Sequence, residues 1–438
     1  MDKGTAKKRA LQAIDDYTPK IQEFHRDIWE HPELGYKEHR TAAKVAEFFE
    51  DLGLEYKTGL ALTGVRAEAH GKSDDVRVAV MGELDAVINL DHPAAVAETG
   101  AVHACGHHSQ LAAMLGTAVG LSHGGLLDSL GGDVAFIAVP AEEFVELGYR
   151  SILRERGDIE FFGGKQELIR LGVLDDIDMA MIVHLQAETP ERVIKLAQGF
   201  LGFLGKTVRY LGREAHPAAE PHKGINALNA AMLGLISIHA QRETFRDQDS
   251  IRVHPIITRG GDLVNVVPAE VTLETYVRGR NIDAIMDANV KVNRSLSAGA
   301  LAIGAEVQIE EIPGYLPLRT DDNLIEIFSQ NAKTLLAENS VFTDDHDGGS
   351  TDMGDISHLM PAIHPMIGGV RGRLHARDYE IVDPDMTNIV PAKIMAMTLI
   401  DLLWDEAREA KRIKREFHPL YSKEGYLKMW RDLVEAGE

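Results

Sequence analysis

Runs of apolar residues along the chain switch between two periods, and the switches mark out its elements. Helical spacing runs through "HRTAAKVAEFFEDLGLEY", His39 to Tyr56, with a glycine as its stop. A short β-branched run opens "DVRVAVMGELDAV", Asp75 to Val87, and predicts a buried strand that breaks into acids at Glu83 and Asp85. "DVAFIAVPAEE", Asp133 to Glu143, repeats the plan with an apolar strand, a proline and two glutamates. "DIDMAMIVHLQ", Asp176 to Gln186, repeats it again and ends at His184. Helical stretches such as "SQLAAMLGTAVGL" lie between. Strands alternating with helices predict a largely parallel sheet covered on both faces. Ligands of such sheets gather beyond the carboxyl ends of the strands, where these acids and this histidine fall.

From about Gln198 the period changes to two. "GFLGFLGKTVRYLG", Gly199 to Gly212, and "AEVTLETYVRGR", Ala269 to Arg280, alternate apolar with polar residues and predict antiparallel strands with one solvated face. Helical stretches near Asn226 to His239 and Ile282 to Leu301 complete a small α+β unit, and "EIPGYLPL", Glu311 to Leu318, reads as the return linker. A helix in "DDNLIEIFSQNAKTLL", a glycine-rich loop "HDGGSTDMGD" and a long helix near Pro391 to Trp404 follow. The expected organisation is an α/β domain with a mostly parallel, mixed sheet, interrupted by an inserted α+β domain. Its segments are 1–197, 198–312 and 313–438. No internal repeat or low-complexity tract is present in the sequence.

Charge narrows the partners. A formal net charge of -22 argues against nucleic-acid and anionic-membrane surfaces, which demand clustered Lys and Arg. It suits a small-molecule or peptide substrate. One cysteine cannot close an internal disulfide. The N-terminus reads as a charged helix without an apolar leader, and no apolar run approaches the ~20 residues of a membrane span. A reducing cytoplasm is the expected setting.

That single cysteine, Cys105, lies in "VHACGHHSQLAAMLG" beside His103, His107 and His108. In an extended loop, residues two apart point the same way, so Cys105 and His107 can face one ion. A thiolate and an imidazole suit zinc or another borderline divalent metal; the same residues also fit a small buried cysteine beside surface histidines. Glu142 and Glu143, adjacent after a proline, cannot point the same way. One can bind a metal while the other faces an attacking water as general base, or both can belong to a solvated acidic loop. His184 alone fits an ordinary core or surface histidine. Taken together, these positions offer Cys, His, Glu and His at the rim of one sheet.

With these motifs in hand, the sequence resembles the metal-dependent amidohydrolases that include aminoacylases, hippurate hydrolases, auxin-conjugate hydrolases and aminobenzoyl-glutamate hydrolases. The resemblance covers nearly the whole chain. "HACGHH" resembles the family's "HACGHD", and "VPAEE" its "QPAEE". "GREAHPAAEPHKGINAL" resembles its lid motif, "GGDLVNVVPAEVTLETYVRG" its Gly-Gly hairpin, and "RLHARDYEIVDP" the segment with the last histidine ligand. "DGGSTDMGDISHLMP" is closest to the aminobenzoyl-glutamate branch. The resemblance implies Cys105, His107, Glu143, His184 and His375 as metal ligands, with His364 competing for the last place. It implies Glu142 as general base and His216, on a lid that also makes a homodimer, as oxyanion donor to a partner subunit. Asn265 and Arg278 would hold the substrate carboxylate; Arg278 also fits a plain surface strand arginine. One or two divalent ions per subunit, Zn or Mn, are implied.

Two departures stand out. His108 replaces the usual Asp or Asn after "HACGH", and "GELDAV" replaces "DMDALP". The expected activity is hydrolysis of a small N-acyl or N-aroyl amino acid or dipeptide. Its rivals are hydrolytic deamination of an aromatic amino acid, a metal-free Cys–His hydrolase and a non-catalytic binding protein.

Overall fold

The structure, a computed structural model, describes residues 1–437. The chain divides into two compact units. The first comprises Met1–Gly199, Arg319–Asp347 and Asp355–Tyr421. The second comprises Phe200–Leu318, the short segment Gly348–Gly354 and the C-terminal segment from Ser422. The expected boundaries lay at 197/198 and 312/313. The expected first domain includes the last two segments, which fall within 313–438. Gly354 instead abuts the Leu316 carbonyl, and the C-terminal helix Lys423–Gly437 packs on the strand Glu306–Ile312 through an amphipathic face with Tyr426 and Trp430 buried.

The first unit is an α/β layer structure. Strands β1 (Glu55–Leu60), β2 (Gly64–Ala69), β3 (Arg77–Glu83), β4 (Asp133–Val139), β5 (Met179–Met181) and β6 (Ala362–Ile363) form one sheet in the order β1-β2-β4-β3-β5-β6. β3 runs parallel to β4 from Arg77↔Asp133 to Glu83↔Val139 and parallel to β5 from Val78↔Met179. β6 is parallel to β5, whereas β1 and β2 are antiparallel additions. Parallel central strands are buried on both faces, and the seven residues of β4 are all buried. β3 and β4 are aligned in register, so Glu83 and the Pro140–Glu143 turn emerge at the same edge.

Helices α1 (Lys3–Glu30), α2 (His39–Asp51), α3 (His107–Ser122) and α4 (Val390–Glu416) belong to the same unit. α3 connects β3's edge to β4 and is buried from His107 to Leu121, which is why it shows no polar face in the sequence. Small residues let it pack closely. A Cβ on Gly116 would stand 2.8 Å from Ala392 Cβ of α4, and one on Gly120 2.9 Å from Ile14 Cδ1 of α1. The long C-terminal helix, expected to end at Trp404, is interrupted by non-helical backbone there and at 405–407, then continues to Glu416. Residues 385–416 are long and apolar enough to cross a membrane, yet 89% of their most apolar window is buried within the protein. The sequence pattern concealed this span because Lys393 and Asp401 interrupt it; they pair with Asp15 and Lys7.

The second unit is α+β. Strand Gly202–Leu211 pairs antiparallel with Glu270–Gly279 on one side and Glu306–Ile312 on the other. Burial alternates residue by residue along Glu270–Gly279, the period-two pattern with one face packed. Helices Ala227–Ala240 and Ile282–Ile303 cover that face. The chain is therefore an α/β unit with a mixed sheet of mostly parallel central strands and an inserted α+β unit.

Candidate metal centre

The site is built at the carboxyl edge of the first unit's sheet. Glu83 ends β3, and Asp85 follows two residues later. β4 ends at Val139, and the turn that follows holds Ala141 at a φ of 50°. That turn is clamped. Glu38 Oε1 accepts the Ala141 N–H at 2.8 Å, and the Arg150 guanidinium donates to the Phe162 carbonyl at 2.6 Å and to the Glu143 carbonyl. Gly106, at a φ of 91°, precedes α3 and turns the chain between Cys105 and His107. Only glycine adopts that angle without cost.

Two imidazoles are fixed by their outer nitrogens. His107 Nδ1 donates to the Asp85 carbonyl at 2.8 Å, with Asp85 Oδ1 at 3.2 Å, which turns Nε2 inward. His184 Nδ1 donates to the Leu185 carbonyl at 2.9 Å, and its Nε2 lies 3.2 Å from Cys105 Sγ. This is how proteins orient histidine ligands. Asp85 Oδ2 also accepts the Glu143 N–H at 2.8 Å, so one carboxylate positions two residues of the site. His375 sits at a φ of 60°, a strained angle for this residue. It is pinned at both ends, its N–H on the Ala104 carbonyl and its carbonyl on Asn89 Nδ2, each at 2.8 Å.

Three sets of ligand atoms come within 4.8 Å of one another: Cys105, His107 and His184; Cys105, Glu143 and His375; and Glu83, His107 and Glu142. The expected ligands Cys105, His107, Glu143, His184 and His375 thus converge. Among the described residues, His375 and not His364 joins such a set. His364 stacks on His184, ring centres 5.3 Å apart. Glu83 is a further candidate ligand that the sequence reading left without a role, and Glu142, expected as a base, also lies within ligand reach.

The donors fit a cation. Glu83 Oε2 and His107 Nε2 are 3.1 Å apart, both fully buried, and neither makes a hydrogen bond, while Glu143 Oε1 faces His375 Nε2 at 3.0 Å. Buried polar atoms are rarely left so. A thiolate, imidazoles and carboxylates match a borderline divalent metal.

The charges here depend on one another. Burial opposes the Cys105 thiolate, as does Glu143, yet His184, His375 and His107 bring its pKa down to about 6. Glu143 overcomes its own burial through His375 and is held near 2. The same partner pushes His375 up to about 12. Lys165 Nζ lies 2.6 Å from Glu83 Oε1, both side chains being fully buried. Burial would raise the Glu83 pKa, but Lys165 and His107 hold it well below the carboxylate range. Glu38, behind the turn, is pushed up to about 7 by burial and by Asp85.

The remaining expected residues lie in the second unit. His216 is exposed, and its Nδ1 accepts the N–H groups of Ala218 and Ala219 at 3.3 and 3.0 Å. Asn265 is exposed in a turn. Arg278 is engaged within its own unit. It donates to Ser350 Oγ at 2.6 Å and His254 Nε2 at 3.1 Å, and lies over the Phe203 ring.

Residues 79–397 match the sequence profile described as Peptidase family M20/M25/M40. A Xaa-Arg dipeptidase of Mus musculus is 29% identical over 432 residues, covering 94% of this chain and 92% of its own. A Bacillus subtilis protein described as a dinuclear metal-binding peptidase of the M20 family has a similar structure, with a TM-score of 0.67, 21% identity, and coverage of 89% of this chain and 99% of its own. An aminobenzoyl-glutamate utilization protein from Klebsiella pneumoniae superposes with a TM-score of 0.68 at 18% identity, covering 90% of this chain and 98% of its own. The chain belongs to peptidase family M20/M25/M40 and is a hydrolase acting on C–N bonds.

Proposed function

We propose that the protein hydrolyses the amide bond of a small N-acyl or N-aroyl amino acid or a dipeptide, with one or two divalent ions, Zn or Mn, in the first unit's cluster. The observation that carries this reading is the set of buried, hydrogen-bond-free donors around Cys105 and His107. The names of the mouse dipeptidase and of the Klebsiella protein favour a substrate of this size. Cys105, His107, Glu143, His184 and His375 would hold the metal, and Glu83 extends the set toward a second ion. A bound divalent cation polarises the scissile carbonyl and lowers the pKa of water toward 7.

The chain's own groups do the rest. Glu142 Oε2 lies 3.9 Å from His107 Nε2, at the edge of the donor cluster. It takes the proton from the attacking water and delivers it to the leaving nitrogen. Glu143 is committed to His375 and, through its N–H, to Asp85, so it cannot share that task. His216, its Nδ1 accepting backbone N–H groups, carries its proton on Nε2 and supports the oxyanion from the second unit of a partner copy. Asn265 and Arg278 bind the substrate carboxylate. Met232, Ile236 and Ile256 of the second unit are large apolar residues left exposed, which supports a homodimer formed through that unit.

Cys105 and His184 alone would also suit a metal-free thiol hydrolase. The sharing of Cys105 between two ligand sets favours the metal. The test is Glu142→Gln assayed on N-acyl, N-aroyl and dipeptide substrates, with metal content measured alongside. Full metal with activity down by a factor of 10² to 10⁴ supports the base. Retained activity, or loss of the metal, overturns that role. Activity that survives chelation supports the thiol reading.

A further inference from the structure

A cavity lies in the first unit, between α1, the 92–94 turn and the 377–384 segment, with a volume of about 780 Å³. That size suits a small organic ligand. Its wall is flat rings. His25 stacks on His108 with centroids 4.5 Å apart, Trp29 meets His108 at 5.1 Å, and the Tyr379 ring lies nearly parallel to Trp29 at 6.4 Å. His108 lines the cavity, is fully buried, and has neither ring nitrogen hydrogen-bonded. Its two ring nitrogens are what this side chain offers to a polar group of a ligand. His25, by contrast, is satisfied through Ser109 Oγ at 2.9 Å.

The charges on the lining are sorted. Arg26 and Arg377 are exposed and have no ion-pair or hydrogen-bond partner among the described residues. The acids there are engaged, Glu380 with Arg371 at 2.8 Å and Asp378 with the Arg373 N–H at 3.5 Å. In a chain of net charge -22, two unpaired guanidinium groups on one cavity select an anion.

We propose that this cavity is a binding site, separate from the metal centre, for a planar aromatic carboxylate whose ring lies against Trp29 and Tyr379. Its carboxylate meets Arg26 and Arg377, and a polar substituent on the far side of the ring reaches His108. The site stands whether or not the protein cleaves the amides proposed above.

The test is calorimetric titration of the metal-loaded full chain with 4-hydroxybenzoate, and with benzoate as the probe lacking the hydroxyl. One-to-one binding is expected, with benzoate about tenfold weaker because a buried polar group then stays unpaired. Arg26→Gln with Arg377→Gln should weaken both probes at least tenfold. His108→Asn, with folding confirmed by circular dichroism, should reduce the preference for the hydroxylated probe. Affinity should survive chelation of the metal. Absence of binding, binding indifferent to the two arginines, or binding lost on chelation would each overturn the proposal, the last placing the carboxylate on the metal instead.

Discussion

Lys165→Met is the substitution whose outcome the site's electrostatics define best. Lys165 Nζ and Glu83 Oε1 are 2.6 Å apart with both side chains fully buried. Removing one member of such a pair leaves an uncompensated charge and costs about 3–5 kcal/mol. Here the loss depends on the metal. Glu83 Oε2 faces His107 Nε2 at 3.1 Å, so a cation at that position neutralises the carboxylate that Lys165 leaves behind. The full cost is expected in chelated protein, and less than half of it in zinc-loaded protein. The control is built into the second unit. Lys206 and Glu311 form another buried pair, and Asn289 and Asn293 donate to Glu311 Oε1 at 3.0 and 2.7 Å. Lys206→Met should cost a similar amount with or without zinc. Urea unfolding of both variants, chelated and zinc-loaded, measures the difference. A Lys165→Met penalty that zinc does not change, or one below about 1 kcal/mol in the chelated protein, would refute the idea that Glu83 shares its charge with the ion.

Other expectations are checked by simpler measurements. Asp85→Asn weakens the hold on His107 and Glu143 together and should lower zinc affinity about 10- to 100-fold in a competition titration with a chromophoric chelator. Gly164→Ala would put a Cβ 1.6 Å from the Pro140 carbonyl oxygen, which is backbone and cannot yield. Thermal unfolding should show a loss of several kcal/mol, and metal analysis a depleted centre. His25 is held neutral by burial, with its pKa lowered to about 4. The unfolded chain therefore takes up this proton first as pH falls. The contribution is complete above about pH 6.5 and is lost toward pH 4, amounting to about 3 kcal/mol across that window. His25→Gln, which cannot titrate, should show a correspondingly shallower fall in unfolding free energy between those pH values.

Much of the fold was legible because local pattern and tertiary burial coincide in it. The strand Glu270–Gly279 alternates in sequence because one of its faces packs on helices, and β4 is apolar from Val134 onward because both of its faces are covered. The pattern fell short where burial is set by distant partners. α3 was legible as a helix, but being enclosed on every side it carries no amphipathic signal of how it packs, and the segments at Gly348–Gly354 and beyond Ser422 join the second unit through contacts that chain order does not reveal. In the site, Cys105, His107, Glu143 and His184 could be found because each follows a strand or opens a helix at the sheet edge. Glu83 was visible as an acid at a strand end, but its pairing with Lys165 was not. Lys165 stands in "GGKQELIR", which looks like any solvated helix until the fold buries it. His375 depended on resemblance, because its place is set by a strained loop pinned to Ala104 and Asn89.

The central claim is that sulfur, imidazole and carboxylate donors from separate strand ends grip one cation. X-ray absorption on the zinc-loaded protein addresses it directly. A stoichiometric ion with a sulfur shell at about 2.3 Å, lost in Cys105→Ala, is the predicted result. A shell of nitrogen and oxygen alone, or no stoichiometric ion at all, would contradict it.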